Sequence, residues 1–156
     1  MRRVFFSFHF QRDSFKVSQV RNSWIGNSNF EGQPYLDKAA WEQIQRRGPA
    51  AIKNWIDSQM NGTSVTIVLI GAETLQRPWV QYEVSKTLER RAGLLGVSLA
   101  GMTNIDRTVE WKSSPTAGTP FEAKSYGSYP VYNWAADNGR ANLGGWIEQA
   151  AVRAGR

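Results

Sequence analysis

Two short stretches bring together side chains able to act on a nucleotide-like ligand. In the first, Ser7-Phe8-His9-Phe10 follows the run Arg3-Val-Phe-Phe, with Asp13 close behind. A hydroxyl, an aromatic ring and an imidazole then meet at the end of an apolar segment, which suits recognition of a base or a ribose. The same residues also allow a plainer arrangement, with Phe8 in the core and His9 closing the strand end. In the second, Gly71 to Glu83, Gly71 permits close backbone approach and Thr74 can cap a helix or donate to a phosphate. Trp79 and Glu83 stand four apart after Pro78 and share a helix face. That face borders the stripe Val80, Val84, Leu88, so Glu83 is expected to be partly buried beside a ring. Burial raises a carboxyl pKa and a helix N-terminus lowers it. The residue types leave that balance open, and they leave open an ordinary exposed glutamate next to a core tryptophan.

Positioning those residues requires an alternation of elements. Arg3 to Phe8 is aromatic and β-branched, as a strand is. Asp13 or Ser14 is expected to cap a helix reaching about Arg21, and the Asn/Gly/Ser-rich stretch from Asn22 to Tyr35 reads as loop. Asp37 is expected to cap a helix over Lys38 to Arg47. Gly48-Pro49 ends it and opens another, with Ile52, Trp55, Ile56 and Gln59 at helical spacing and Asn61-Gly62 at its close. Ser64 to Ile70 is the strongest strand signal, a nearly continuous apolar run that fits a strand buried on both faces of a parallel sheet. A polar loop over Gly71 to Arg77, a helix from Pro78 to about Arg91 and a strand over Leu94 to Leu99 follow. Met102 to Gly127 reads as irregular, Val131 to Trp134 as a short strand, and the last helix runs from Asn138 or Arg140 to about Ala154. The order predicts an α/β fold with a mostly parallel central sheet and helices on both faces. Ligands in such sheets bind beyond the carboxyl ends of strands, which selects the segments after Phe8, Ile70 and Leu99.

Composition removes several classes of function. The 156 residues suit one domain, and seven Trp with 12% aromatics argue against disorder. There is no cysteine and His9 is the only histidine, so disulfides, thiolate catalysis and cysteine-based metal sites are excluded and no metal site is expected. The net charge of +6 attracts anions, but basic residues never run longer than two (Arg2-Arg3, Arg46-Arg47, Arg90-Arg91), which argues against a nucleic-acid face. Neither phosphate-loop nor dinucleotide glycine motifs occur. No apolar run approaches a membrane span and no secretory pattern follows Met1-Arg2-Arg3, so a cytoplasmic location without membrane attachment is expected. Asp106 and Glu110 lie four apart in an irregular segment and do not read as an acid–base pair. The tryptophans at 41, 55, 111, 134 and 146 read as packing residues rather than stacking platforms.

Taken in order, Arg3-Val-Phe-Phe-Ser-Phe-His-Phe, Val20-Arg-Asn-Ser-Trp24, Trp55-Ile-Asp, Gly62 to Gly71 and Trp79-Val-Gln-Tyr-Glu83-Val resemble the TIR-like proteins of bacterial Thoeris anti-phage systems. The resemblance runs from Arg3 to about Leu99; the part from Met102 to Arg156 matches less clearly and is taken as the rest of one TIR-like domain over 1–156. The resemblance implies a flavodoxin-like sheet and cleavage of NAD⁺, as substrate and with no cofactor, to nicotinamide and a cyclic ADP-ribose isomer. The family's catalytic glutamate falls on Glu83. Ser7, Phe8 and His9 would line the nucleotide pocket with Trp79 beside Glu83, and Asp13, Asn22 and Thr74 complete the expected substrate contacts. The implied partners are a phage-derived activator, a separate effector reached through the cyclic product, and further copies of the chain. Two other readings keep the fold: a non-catalytic adaptor, and a nucleoside-processing glycosyltransferase with Glu83 as nucleophile.

Overall fold

The strand from Val65 to Ile70 is the centre of the protein, and all six of its residues are buried. This strand, β3, pairs in parallel with β1 (Arg2–Ser7) on one side and β4 (Gly93–Ser98) on the other. The coordinates are a computed structural model that describes residues 2–24, 30–32, 38–123 and 128–156. Two short strands complete the sheet at its edges, β2 (Phe30–Gly32) beside β1 and β7 (Val131–Asn133) beside β4. The order is β2-β1-β3-β4-β7 with every pairing parallel. This is the flavodoxin-like order, and its direction reverses between β1 and β3.

Alternation along the strands assigns the two faces. Val4, Phe6, Val65, Ile67, Leu69, Leu95 and Val97 meet α1 (Phe10–Trp24) and α5 (Gly139–Arg153) through Val17, Val20, Leu143 and Ile147. Across the sheet, Phe5 packs on Ile52, Ile56 and Met60 of α3 (Pro49–Met60), while Val68, Ile70 and Leu94 pack on Val80 and Val84 of α4 (Pro78–Glu89). A buried hydroxyl pair, Thr87 Oγ1 to Thr66 Oγ1 at 2.7 Å, ties α4 to β3. Helix α2 (Lys38–Arg46) precedes α3, and the turn between them uses Gly48 at φ 94° with Pro49 in the first helical turn.

Several expectations change. Helix α1 starts at Phe10 rather than at Asp13 or Ser14, and it continues to Trp24. Asp13 lies in its first turn, where a carboxylate still opposes the helix dipole, and its side chain is drawn into tertiary contacts. The stretch read as loop from Asn22 contains the end of α1 and all of β2; three residues held by pairing with β1 carry no apolar pattern of their own. The segment after Met102 contains a small hairpin, β5 (Met102–Thr103) with β6 (Val109–Glu110). The expected cap at Asp37 lies outside the described residues. Among the described residues no helix is long and apolar enough to cross a membrane.

Candidate active site

A cavity of about 130 Å³ opens at the carboxyl ends of β1 and β3, at the point where the strand order reverses. Its walls come from the ends of β1 and β3, the length of α1 from Phe10 to Arg21, Trp41 and Gln45 of α2, Trp55 of α3, and the first turns of α4. Pro78 opens α4, so Trp79 and Glu83 fall one turn apart on the same side, and both reach the cavity. Trp79 is held edge-on against Tyr82, with ring centres 5.7 Å apart. The Tyr82 hydroxyl in turn donates to Asp57 Oδ1 at 2.5 Å.

Glu83 is 8% exposed, and its Oε2 has no hydrogen-bond partner among the described residues. Burial pushes its pKa up to about 8, and only the Ser7 hydroxyl nearby opposes the shift. The balance that the sequence left open is therefore decided by desolvation. Among the described residues no cation offsets the carboxylate, so a neutral Glu83 is favoured at neutral pH until positive charge enters the cavity. Ser7 is itself buried, 1% exposed, with its hydroxyl otherwise unpartnered; it sits beside Glu83 and is not part of the lining.

One wall is a run of aromatic rings. Phe8 stacks on Phe10 (centres 5.3 Å, planes 25° apart), Phe10 on Trp41 (5.6 Å, 24°), and Trp41 meets Trp55 edge-on at 5.7 Å. All four line the cavity, together with His9 and Arg77. Both nitrogens of His9 are buried without a hydrogen-bond partner among the described residues. Its pKa is held below the usual imidazole value, first by burial and then by the charge of Arg77, so the ring is neutral at pH 7.

Besides Ser7, three more expected substrate contacts lie off the cavity. Asn22 is exposed on α1 and does not line the cavity. Thr74 is fully buried; its hydroxyl accepts the Gly71 N–H at 2.8 Å and donates to Asp13 Oδ2 at 3.3 Å. Asp13 is 1% exposed and belongs to a cluster of charges: Lys16 to Glu110 at 2.9 Å, Arg12 to Glu110 at 2.8 Å and to Glu73 at 3.0 Å. A Cβ at Gly71 would collide with the Asp13 carboxylate. This glycine gives room to a carboxylate of the protein itself, and Thr74 and Asp13 hold the loop after β3 against α1.

Reasoning from sequence missed Trp41, Trp55 and Arg77. Trp41 and Trp55 do pack against the α3 core, as expected of packing residues, but they also wall the cavity. Trp146 instead stacks on Tyr132 at 4.2 Å, and Trp111 stands 76% exposed. No local pattern separates the first pair from the second. Arg77 did carry a signal, a cation directly before the proline that opens the glutamate's helix.

An unpaired buried carboxylate among aromatic rings can stabilise a cationic ligand or a transition state that gains positive charge. Comparison with known proteins narrows the choice. The model of the Thoeris protein ThsB TIR-like domain matches residues 5–104. The protein of Bacillus cereus (strain MSX-D12) named "Putative cyclic ADP-D-ribose synthase ThsB1" is 32% identical over 146 residues, which is 93% of this chain and 71% of that protein.

Proposed function

This chain belongs to the family of Thoeris ThsB proteins with a TIR-like domain, and from that premise we propose that it processes NAD⁺, breaking the nicotinamide–ribose bond and closing the remainder into a cyclic ADP-ribose isomer. The observation that carries this reading is Glu83, a buried carboxylate that no cation offsets among the described residues, facing an aromatic cavity at the switch point of the sheet. NAD⁺ supplies the missing charge. Its pyridinium ring is cationic, and as the C–N bond breaks the bonding pair leaves with nicotinamide while positive charge passes to the ribose. Binding of the cationic ring lowers the Glu83 pKa, the carboxyl proton passes to solvent as the substrate enters, and the carboxylate then stabilises the charge that develops on the ribose, as carboxylates do in glycoside cleavage. The leaving group departs neutral, so a single carboxylate suffices without a general acid.

Ring closure requires a hydroxyl or a ring nitrogen of the same molecule to reach the ribose carbon before water does. Phe8, Phe10, Trp41 and Trp79 favour this outcome by stacking and by excluding water. His9, neutral and unpartnered, supplies a donor and an acceptor to the ribose or its neighbours. On the same reading the chain is one cytoplasmic TIR-like domain over 1–156. It responds to a phage-derived activator, assembles with copies of itself, and signals through its product to a separate effector.

The test is mass spectrometry of nucleotides from phage-infected cells expressing the protein or its Glu83→Gln variant. A species with the mass of cyclic ADP-ribose is expected with the unaltered protein alone. Its absence from both, with both proteins folded and several phages tried, would favour an adaptor. Its presence in both would keep the chemistry and remove Glu83 from it. A covalent glycosyl adduct on Glu83 would point to a glycosyltransferase.

A further inference from the structure

Two arginines line the cavity, Arg21 and Arg77, and Arg21 is engaged within the fold. Arg77 lines the cavity and is exposed, and it makes no ion pair among the described residues. Arg12, by contrast, is engaged by Glu73 and Glu110. Arg77 occupies the N-cap position of α4, a helix of 12 residues whose first turn has no side-chain cap. Pro78 has no N–H, so the amides of the following residues provide that end's donors. The positive end of a helix and a guanidinium therefore converge on one side of the cavity. The buried, unpartnered oxygen of Glu83 lies on the same helix and faces the same space. His9 stands within reach of the Arg77 charge, and neither of its nitrogens has a hydrogen-bond partner among the described residues.

The cavity is thus polarised. Its interior, at Glu83, favours positive charge, and its rim, at Arg77, favours negative charge. A dinucleotide with a cationic ring at one end and a diphosphate in the middle matches that polarity; a neutral nucleoside matches neither part. We infer that Arg77, with the uncapped first turn of α4 and the His9 imidazole, forms an anion subsite that receives the diphosphate of the substrate and makes the site selective for nucleotides that retain one. This inference rests on the proposed NAD⁺ reading for its natural ligand but not for the subsite itself. Arg77 is a specificity-determining residue here, and bond breaking stays with Glu83.

The test is calorimetric titration of the unaltered protein and of Arg77→Gln with ADP-ribose, inorganic pyrophosphate and adenosine. Arg77 is exposed, so the variant is expected to keep the melting temperature of the parent. ADP-ribose should bind Arg77→Gln at least roughly tenfold more weakly, as removal of a charge-assisted contact predicts, with adenosine binding unchanged. ADP-ribose affinity within about twofold of the parent's would overturn the subsite, on the same scale. If the parent binds pyrophosphate but not ADP-ribose, and Arg77→Gln loses pyrophosphate, the subsite stands and the NAD⁺ reading falls. If the parent binds neither, the subsite falls. Where turnover can be measured, Arg77→Gln should raise the KM for NAD⁺ and leave kcat near the parent value; a fall in kcat alone would contradict the assignment.

Discussion

Glu83 and Asp13 are both buried carboxylates near the carboxyl edge of the sheet, and burial raises the pKa of each. Around Asp13 the fold supplies compensation: Lys16, itself 3% exposed, Arg12 with its Nη1 3.8 Å from Oδ1, and the Thr74 hydroxyl. These oppose the desolvation of Asp13. Around Glu83 only the Ser7 hydroxyl does so among the described residues, and the space in front of it is open. Desolvating a carboxylate is costly unless something pairs with it. The compensated carboxylate serves the architecture; the uncompensated one stores an affinity for positive charge that a ligand can satisfy. Asp13 Oδ1, like Glu83 Oε2, has no hydrogen-bond partner among the described residues, so what separates the two carboxylates is the positive charge beside Asp13 and its lack beside Glu83 among the described residues.

Changing each cluster should break function and stability separately. Glu83→Gln is expected to lower turnover by about two to three orders of magnitude, as loss of a charge-stabilising group does, while the melting temperature holds or rises; a steep loss of stability would mean that Glu83 is structural. Glu110→Gln leaves the buried Lys16 without its ion pair. It should cost about 3 kcal/mol of stability in denaturant titration, with activity per folded molecule near that of the parent.

The pH dependence sharpens the same contrast. Glu83 titrates near 4.5 when unfolded and about 8 when folded, so the native state holds its proton more tightly. Its contribution to stability is complete below pH 4.5, declines above it and is lost as pH passes 8, a change on the order of a few kcal/mol. Glu83→Gln should flatten that part of the stability profile. Activity has the opposite sign, because the ionised form works: kcat/KM should climb with pH and level off near 8 in the free enzyme. A flat rate profile would remove the carboxylate from the chemistry. Smaller in effect, Phe8→Ala should shift product from cyclic toward linear ADP-ribose, read by chromatography of the reaction; an unchanged ratio would exclude Phe8 from keeping the site dry. Smallest, Asn22→Ala should leave substrate binding within about twofold of the parent, since its exposed side chain is off the cavity.

Much of the frame was legible because its signals are local. The unbroken apolar run of β3, Gly48-Pro49 between two helices, and Val80 and Val84 at helical spacing each reflect short-range periodicity. Strand β2 was not legible, since three edge residues owe their conformation to their neighbour β1. The hairpin β5–β6 escaped for a similar reason: two paired residues on each side show no alternation.

The candidate site divides along the same line. Sequence alone determined that Glu83 and Trp79 share a helix face and that Phe8 and His9 lie at the carboxyl edge of a strand, which the structure ends at Ser7, because backbone geometry sets where residues a few positions apart point. Only the tertiary structure decided that Trp41 and Arg77 reach the same cavity and that Thr74 bonds to Asp13, 61 positions away. It also decided that, among the described residues, no cation offsets the Glu83 carboxylate. Such relations depend on strand register and on how the helices pack across the sheet, which no local propensity encodes.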